Sequence, residues 1–310
     1  MLKEKVLAEL EQNKGKPVSG QILAEKNGVS RNAVWKCISA LKQEGYRIDS
    51  VRKKGYVLSA ENDILSVPGI RSFLSEGYAQ TEICVFDTVD STNNEAKRML
   101  ASGHEGRALL VSDRQSDGRG RKGKSFASPS GGMYLSAVLP AQLPAGDANR
   151  ITLMAAVAVL RCLKKYTGQD IRLKWINDLF LRQKKIGGIL TEAILDPEEG
   201  RITDVVIGIG LNLATDALPA SLRGRAAALS IRCSRNELAA AIYREMQELD
   251  PCHPEDFMEE YRAASAVLGR EVLYEGERVW ALEIGDQGAL LIRRSDGREE
   301  WIRSGGIRLL

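Results

Sequence analysis

Histidine is nearly missing from this 310-residue chain, with two copies, and cysteine is sparse and scattered. The five cysteines, at positions 37, 84, 162, 233 and 252, are odd in number and form no CxxC or Cys/His pairing. That excludes a disulfide framework and a structural zinc site, and the thiols read as reduced. Cys162 lies in the helical run AAVAVLRCLKK and reads as a core or boundary residue rather than a catalytic thiol. His104 and His253 sit in polar surroundings and are assigned no role. No stretch approaches the ~18 unbroken apolar residues of a membrane span. The opening MLKEKVLAEL contains acidic residues and is amphipathic, unlike the basic start, apolar run and cleavage site of a secretory signal. These absences point to a cytoplasmic protein with no membrane partner and no metal site of its own. Internal repeats and low-complexity tracts are also missing.

What is present suits cores and more than one domain. Apolar residues make up 44% of the chain, and at roughly 150 residues per domain the length fits two or three. Net charge is +3 but unevenly spread: residues 1–63 hold 12 Lys and Arg against 8 Asp and Glu, and the remainder 32 against 33. The first segment is therefore the candidate for a polyanionic partner.

That segment opens on a helix with Val6, Leu7 and Leu10 at helical spacing, stopped by Gly15 and Pro17. A short helix over Gly20–Lys26, a turn at Asn27, Gly28 and Val29, and a longer helix capped by Ser30 give a helix-turn-helix layout. Alternation in YRIDSVRKKGYVL predicts two strands around the turn Arg52, Lys53, Lys54, a wing. Two readings stand, a small packing domain and a DNA-binding one. Ser30, Arg31, Asn32 and Lys36 at the start of the second helix, with Arg52, Lys53 and Lys54, favour duplex DNA. A polar stretch with a proline, SAENDILSVPGI, marks a boundary near residue 63.

Beyond it strands and helices mix up to residue 268, with the most apolar helix at ANRITLMAAVAVLRCLKKYTG and near-continuous β signals from there to residue 213. Strands in hairpin succession imply an antiparallel or mixed sheet with helices on one side, an α+β domain. Residues 269–310 return to short strands and hairpin turns, the size of a five-stranded SH3-like β-barrel.

DGRGRKGK, residues 117–124, satisfies the GxGxxG pattern of dinucleotide-binding turns. Such a turn needs a helix directly after its glycines, whose first amides hold the pyrophosphate. SFASPSGG follows instead, and Pro129, Gly131 and Gly132 do not support that helix. A solvated basic loop and an anion-binding loop remain. In the second, Gly118, Gly120 and Gly123 let backbone amides approach a ligand, and Arg119, Arg121, Lys122 and Lys124 neutralise its charge. Three other stretches favour it: STNNEAK with hydroxyls at Ser91 and Thr92, KWIND at 174–178, and KKIGGILTE with Lys185 beside Gly187 and Gly188.

In this order the four stretches resemble the biotin protein ligase family, and the preceding winged helix matches its bifunctional ligase and repressor members. The family's GRGRxGR, KWPND and KxxGIL appear as GRGRKGK, KWIND and KIGGIL, and the likeness runs almost end to end. Ile176, Lys124 and Phe126 depart from the family's proline, arginine and tryptophan, and bear on nucleotide affinity more than on activity.

The resemblance implies a class II synthetase-like ligase fold over 64–268. It also implies two reactions: biotin and ATP, with Mg2+, give biotinyl-5′-AMP, and a lysine of a biotin carboxyl carrier protein then takes the biotinyl group. Arg121 and Lys185 become the catalytic residues. Ser91, Thr92, Asn93, Gln115, Arg119 and Gly120, together with Arg121 and Lys185, would bind biotin. Arg121, Phe126, Lys174, Asn177, Asp178, Asn212 and Trp301 would hold the nucleotide. On residue type alone, Ser91 is also a helix cap, Lys185 an exposed turn lysine, and Asp178 equally structural or magnesium-linked. Adenylate would order the basic loop and promote a homodimer that presents two winged helices to operator DNA. A biotin-sensing regulator without chemistry, and a lipoate or other acyl ligase on the same fold, are the alternatives.

Overall fold

The computed structural model describes residues 1–196, 198, 200–213, 218–222 and 224–310; the turn expected over 196–200 includes two positions outside them. The chain divides into two compact units, residues 1–80 with 233–241, and residues 81–232 with 242–310.

In the first unit, α1 (Leu2–Gln12), α2 (Gly20–Asn27) and α3 (Arg31–Gln43) pack Val6, Leu10, Leu23, Val34, Ile38 and Leu41 into one core. Side-chain caps set both starts of the helix-turn-helix. Ser19 Oγ accepts from the Gln21 amide and Ser30 Oγ from the Ala33 amide, each at 3.2 Å, which satisfies otherwise orphaned helix donors. Gly28 ends α2 in the left-handed region at φ 64°. The wing is the antiparallel pair β1 (Ile48–Val51) and β2 (Gly55–Leu58). It is tied to the chain ahead of α2 by paired hydrogen bonds between Val18 and Tyr56, 2.8 and 2.9 Å. Gly55 makes this possible: φ is 113°, and a Cβ there would collide with the Val18 carbonyl. The unit continues past residue 63 through α4 (Val67–Arg71), whose five residues are too few for periodicity to reveal. Behind it the fully buried Asn236 accepts from the Ser66 amide at 3.0 Å and donates to the Ile64 carbonyl at 2.8 Å.

The second unit is built on a seven-stranded mixed sheet. Its members are β3 (Glu82–Val89), β4 (Ala108–Gln115), β5 (Met133–Pro144), β6 (Ile171–Lys174), β7 (Asp178–Leu181), β8 (Lys184–Asp196) and β9 (Arg201–Leu211), in the order β3-β4-β5-β9-β8-β7-β6. Only β3 and β4 run parallel, joined through helix α5 (Thr92–Ala101). The second helix, α6 (Ala148–Thr167), is buried along most of its length. The expectation of helices on one side is corrected here. Consecutive residues of a strand point to opposite faces, and on β8 Thr191 meets Thr152 of α6 while Glu192 meets Lys97 of α5. The two helices therefore cover opposite faces, which is what a sheet with two apolar faces requires.

Helix α7 (Arg235–Glu248) starts in the first unit and the rest of it belongs to the second, followed by α8 (Met258–Ala263). Strands β10 (Arg270–Tyr274), β11 (Glu277–Ile284), β12 (Leu290–Arg293), β13 (Glu299–Ile302) and β14 (Ile307–Leu309) form an antiparallel sheet in the order β13-β12-β11-β10-β14. Five strands match expectation. Among the described residues β13 and β14 do not pair, so the sheet is open at its ends where a closed barrel was expected.

Gly55→Ala should destabilise the first unit by about 2 kcal/mol, since the alanine must hold a left-handed backbone against a carbonyl. Urea unfolding followed through Trp35, the one tryptophan of this unit, measures it; an unchanged midpoint would contradict the wing anchor.

Candidate active site and nucleic-acid interface

A cavity of about 400 Å³ opens on the α5 face of the large sheet. Its floor follows from strand register. Lys174, Asp178, Gly188, Gly210 and Tyr134 are successive cross-strand partners from β6 to β5, and Leu190, Gly208 and Ser136 form the next row. Glycines at the middle of both rows leave a trough where side chains would otherwise stand. Neighbours already lean into it: a Cβ on Gly208 would strike Asn93, and one on Gly210 would come within 2.5 Å of the Phe126 ring.

One end of the trough is polar and buried. Ser91 caps α5, and with Thr92 and Asn93 brings the helix N-terminus to the cavity. The Thr92 amide and hydroxyl both donate to Gln115 Oε1, at 2.8 and 3.1 Å, while Gln115 Nε2 donates to Ser128 Oγ at 2.8 Å. That leaves Gln115 a second N–H. Ser136 Oγ lies 2.8 Å from Thr92 Oγ1 and 2.6 Å from Asn93 Oδ1. Ser91, Thr92, Asn93, Ser128 and Ser136 are all buried, so this network is costly to break and holds its geometry.

The other end is cationic. Lys185 Nζ donates to Asp178 Oδ1 at 2.5 Å and Lys174 Nζ to Asp178 Oδ2 at 3.2 Å. Burial pushes the Asp178 carboxyl up, but Lys185 and Lys174 outweigh it and hold the group below its ordinary value. Lys185 also lies over the Phe126 ring, 5.6 Å from its centroid. Arg121 sits on a short turn, residues 121–123, inside the basic loop. The loop is closed by 2.7 Å bonds from the Gly120 amide to the Lys124 carbonyl and from the Phe126 amide to the Gly118 carbonyl. Burial lowers the Arg121 guanidinium's pKa, with Asp178 opposing, and its nearest side-chain acceptor is Asn177 Oδ1 at 3.5 Å. A half-buried cation with so loose a partner is stabilised by an incoming anion.

The turn between β6 and β7 is held from three directions. Trp175 Nε1 donates to the Gly288 carbonyl at 2.9 Å, Tyr261 Oη to the Ile176 carbonyl at 3.0 Å, and Asn177 Nδ2 to the Ile189 carbonyl at 2.7 Å. The terminal sheet and α8 thus fix the strand ends that carry Lys174 and Asp178.

The cavity lining gathers Ser91, Thr92, Asn93, Gln115, Arg119, Gly120, Arg121, Phe126, Lys174, Asn177, Asp178 and Lys185, widely separated in sequence. Asn212 and Trp301 are outside that lining. The Asn212 amide is turned to the Lys185 and Ala227 carbonyls, at 3.5 and 3.3 Å, and so braces the backbone at Lys185. Trp301 stands half-exposed on β13 over Gly285; the carboxy-terminal lining comes from Gly305, Gly306 and Ile307 instead. Sequence reasoning missed Gly208 and Gly210, although glycines spaced by two inside a strand signal a close approach of ligand or neighbour. In the first unit Arg31, Asn32, Lys36, Arg52, Lys53 and Lys54 are exposed, and Ser30 serves as the cap. Trp35 joins them, 56% exposed on α3.

A biotin/lipoate A/B protein ligase family model matches residues 85–212, and a helix-turn-helix domain model residues 3–57. The biotin–[acetyl-CoA-carboxylase] ligase of Paracoccus denitrificans is 33% identical, over 68% of this chain and 93% of its own length. This chain belongs to the biotin protein ligase family. Its relatives include the bifunctional ligase/repressor BirA of Bacillus spizizenii, 36% identical over 69% of this chain, although the match spans only 66% of that protein's own length. The BirA of Escherichia coli K12 is 28% identical over 92% of this chain and 90% of its own. Among solved biotin protein ligases, that of Aquifex aeolicus in complex with biotin and ATP aligns at TM-score 0.60 and 25% identity, covering 73% of this chain and 97% of its own. The family likeness thus extends across both units, and no helix among the described residues is long and apolar enough to cross a membrane.

Because the folded Asp178 carboxyl titrates below its unfolded value of about 3.9, it contributes stability that is present above that value. The contribution is lost as pH falls through the lower folded value. Asp178→Asn should therefore weaken the protein at neutral pH and flatten acid unfolding below about pH 4; a parallel acid limb in melting curves would contradict the assignment.

Proposed function

We propose that this protein is a biotin ligase that also represses biotin synthesis genes by binding operator DNA. In this reading residues 1–63 are the winged DNA-binding domain and 64–268 the catalytic domain. Residues 269–310 are a carboxy-terminal β-domain built on the open antiparallel sheet. One observation carries the enzymatic part: a single cavity has a buried hydrogen-bonding end beside Gln115 and a cationic end at Arg121 and Lys185. A cyclic urea with an anionic tail fits the first, and a nucleoside triphosphate the second.

Biotin's carboxylate attacks the α-phosphorus of ATP. An oxygen–phosphorus bond forms, the bond to the bridging oxygen of pyrophosphate breaks, and pyrophosphate leaves. An acceptor lysine's amine on a biotin carboxyl carrier protein then attacks the acyl carbon, AMP departs, and the nitrogen loses a proton. The first step brings two anions together, so fixed cations lower its barrier by preorganised electrostatics. Arg121 neutralises the carboxylate and phosphate and retains the adenylate. Lys185 exchanges one Asp178 oxygen for the oxygen of the new acyl-phosphate bond. Mg2+ arrives as part of the ATP substrate. Asp178, the one acid among the described lining residues, has both oxygens on lysines, and no cluster of three or more metal-binding side chains is found among the described residues.

The buried polar end counts against lipoate. A dithiolane offers neither carbonyl nor N–H, and would leave Gln115's second N–H unpaired, a loss of about 1–3 kcal/mol. The presence of both Arg121 and Lys185 at the cavity counts against a sensor without chemistry. For the first unit, exposed cations on α3 and the wing suit the phosphates and base edges of a duplex. We further propose that adenylate promotes a homodimer that engages paired half-sites, and that the protein works in the cytoplasm.

Incubation with biotin, labelled ATP and a carrier domain should label the carrier. Arg121→Ala and Lys185→Ala should each lower pyrophosphate release by roughly 100-fold, the scale of a lost charge-stabilising group; unchanged rates would refute the catalytic assignment. Operator affinity, measured by mobility shift, should fall steeply with salt as bound cations release counterions. A flat response would leave the first unit as a packing domain.

A further inference from the structure

Glu192 lies on β8 two residues beyond the cavity wall at Leu190, on the same strand face, and the catalytic chemistry does not use it. Its carboxylate bridges two residues four apart on α5. Oε2 accepts from Asn93 Nδ2 at 2.8 Å and Oε1 from Lys97 Nζ at 2.7 Å. Asn93 Nδ2 also donates to the Leu190 carbonyl at 3.2 Å, and Asn93 Oδ1 is 2.6 Å from Ser136 Oγ. The Asn93 side chain is buried, occupies the space left by Gly208, and lines the cavity.

An amide has one accepting and one donating end, and which end faces a ligand is decided by its fixed partners. A carboxylate and a carbonyl can only accept. Glu192 and Leu190 therefore capture the NH2 end of Asn93 and turn its oxygen toward Ser136 and the trough. Oδ1 has a second lone pair beyond the Ser136 contact. Lys97 holds the Glu192 carboxylate in place from its other oxygen, so the amide has no reason to flip.

We propose that Glu192, held by Lys97, is a positioning residue that sets the Asn93 amide so that the cavity floor presents a hydrogen-bond acceptor to an N–H-bearing ring, and so sharpens binding of the cyclic urea. The proposal rests on the ligase reading above. Neither Glu192 nor Lys97 touches the nucleotide end, where Lys174, Asp178 and Lys185 form a separate ion network. The effect is thus confined to the vitamin.

The test is steady-state adenylation by the full-length chain, with calorimetric titration of biotin. Glu192→Ala should raise the KM and Kd for biotin at least about tenfold, as expected for loss of a hydrogen bond to a charged group. The KM for ATP and kcat should stay within about twofold, inside the range of a surface ion pair's contribution. Lys97→Met with Glu192→Gln, which keeps an acceptor for Asn93 and removes the lysine that would compete for it, should restore the biotin KM to within about threefold of the parent. If Glu192→Ala fails to fold, Lys97→Met alone should still raise the biotin KM and spare the ATP KM. An unchanged biotin Kd in Glu192→Ala overturns the proposal. So does an equal worsening of both KM values and kcat, which would make the pair a structural clamp only. A parent protein that binds no biotin would instead overturn the ligase reading itself.

Discussion

Asp178 is the acid around which the cavity's charge is arranged. It accepts from Lys174 on the adjoining strand and from Lys185 across a β-bulge, and these two cations together outweigh the cost of burying the carboxylate. The balance is still lopsided. Arg119, Arg121, Lys122, Lys124, Lys174 and Lys185 line the same space, and Asp178 is the one acid among the described residues doing so. Excess positive charge at a partly desolvated surface is a standing demand for anions. The buried hydrogen-bond network at the far end of the trough supplies the selectivity that charge lacks.

The same economy of backbone makes room for ligand and holds the wall. Glycines 188, 208 and 210 occur where strands β8 and β9 pass beneath the cavity, and one strand, β8, serves both faces of the sheet. Its Thr191 packs toward α6 and its Glu192 toward α5. Anchors from distant chain segments complete the rigidity: Trp175 reaches the turn at Gly288 and Tyr261 the backbone of Ile176. The cationic end therefore depends on α8 and the terminal sheet, although the terminal sheet adds to the lining only near residues 305–307.

In the first unit a few polar side chains and two glycines direct the chain, while apolar periodicity builds the core. Ser19 and Ser30 start α2 and α3, Gly28 separates them, and Gly55 lets the wing lie against Val18. Opposite the buried Val34, Ile38 and Leu41, α3 presents Arg31, Asn32, Trp35 and Lys36 to solvent.

Local signals were legible along the chain by itself: helices where apolar residues recur every three to four positions, hairpins where alternation meets Gly-rich turns, caps at Ser30 and Ser91, and the basic loop. Rejecting the dinucleotide reading of the loop needed only the residues that follow it, because Pro129 and two glycines forbid the helix; favouring an anion-binding loop over a solvated one needed the three distant stretches as well. The short α4 was not legible because five residues carry no periodicity, and the open ends of the terminal sheet and the two-sided cover of the large sheet were not because each depends on contacts between segments far apart in sequence. The same holds for the site. The resemblance nominated Asn212 and Trp301 as nucleotide contacts; strand register and turn packing turn the Asn212 amide to backbone carbonyls and set Trp301 over Gly285, both outside the cavity lining. Chain order determined which groups could bind an anion. Cross-strand pairing, which joins Lys174, Asp178, Gly188 and Gly210 into one row from four strands, decided which of them share a cavity, because a register is a property of paired backbones and not of any one of them.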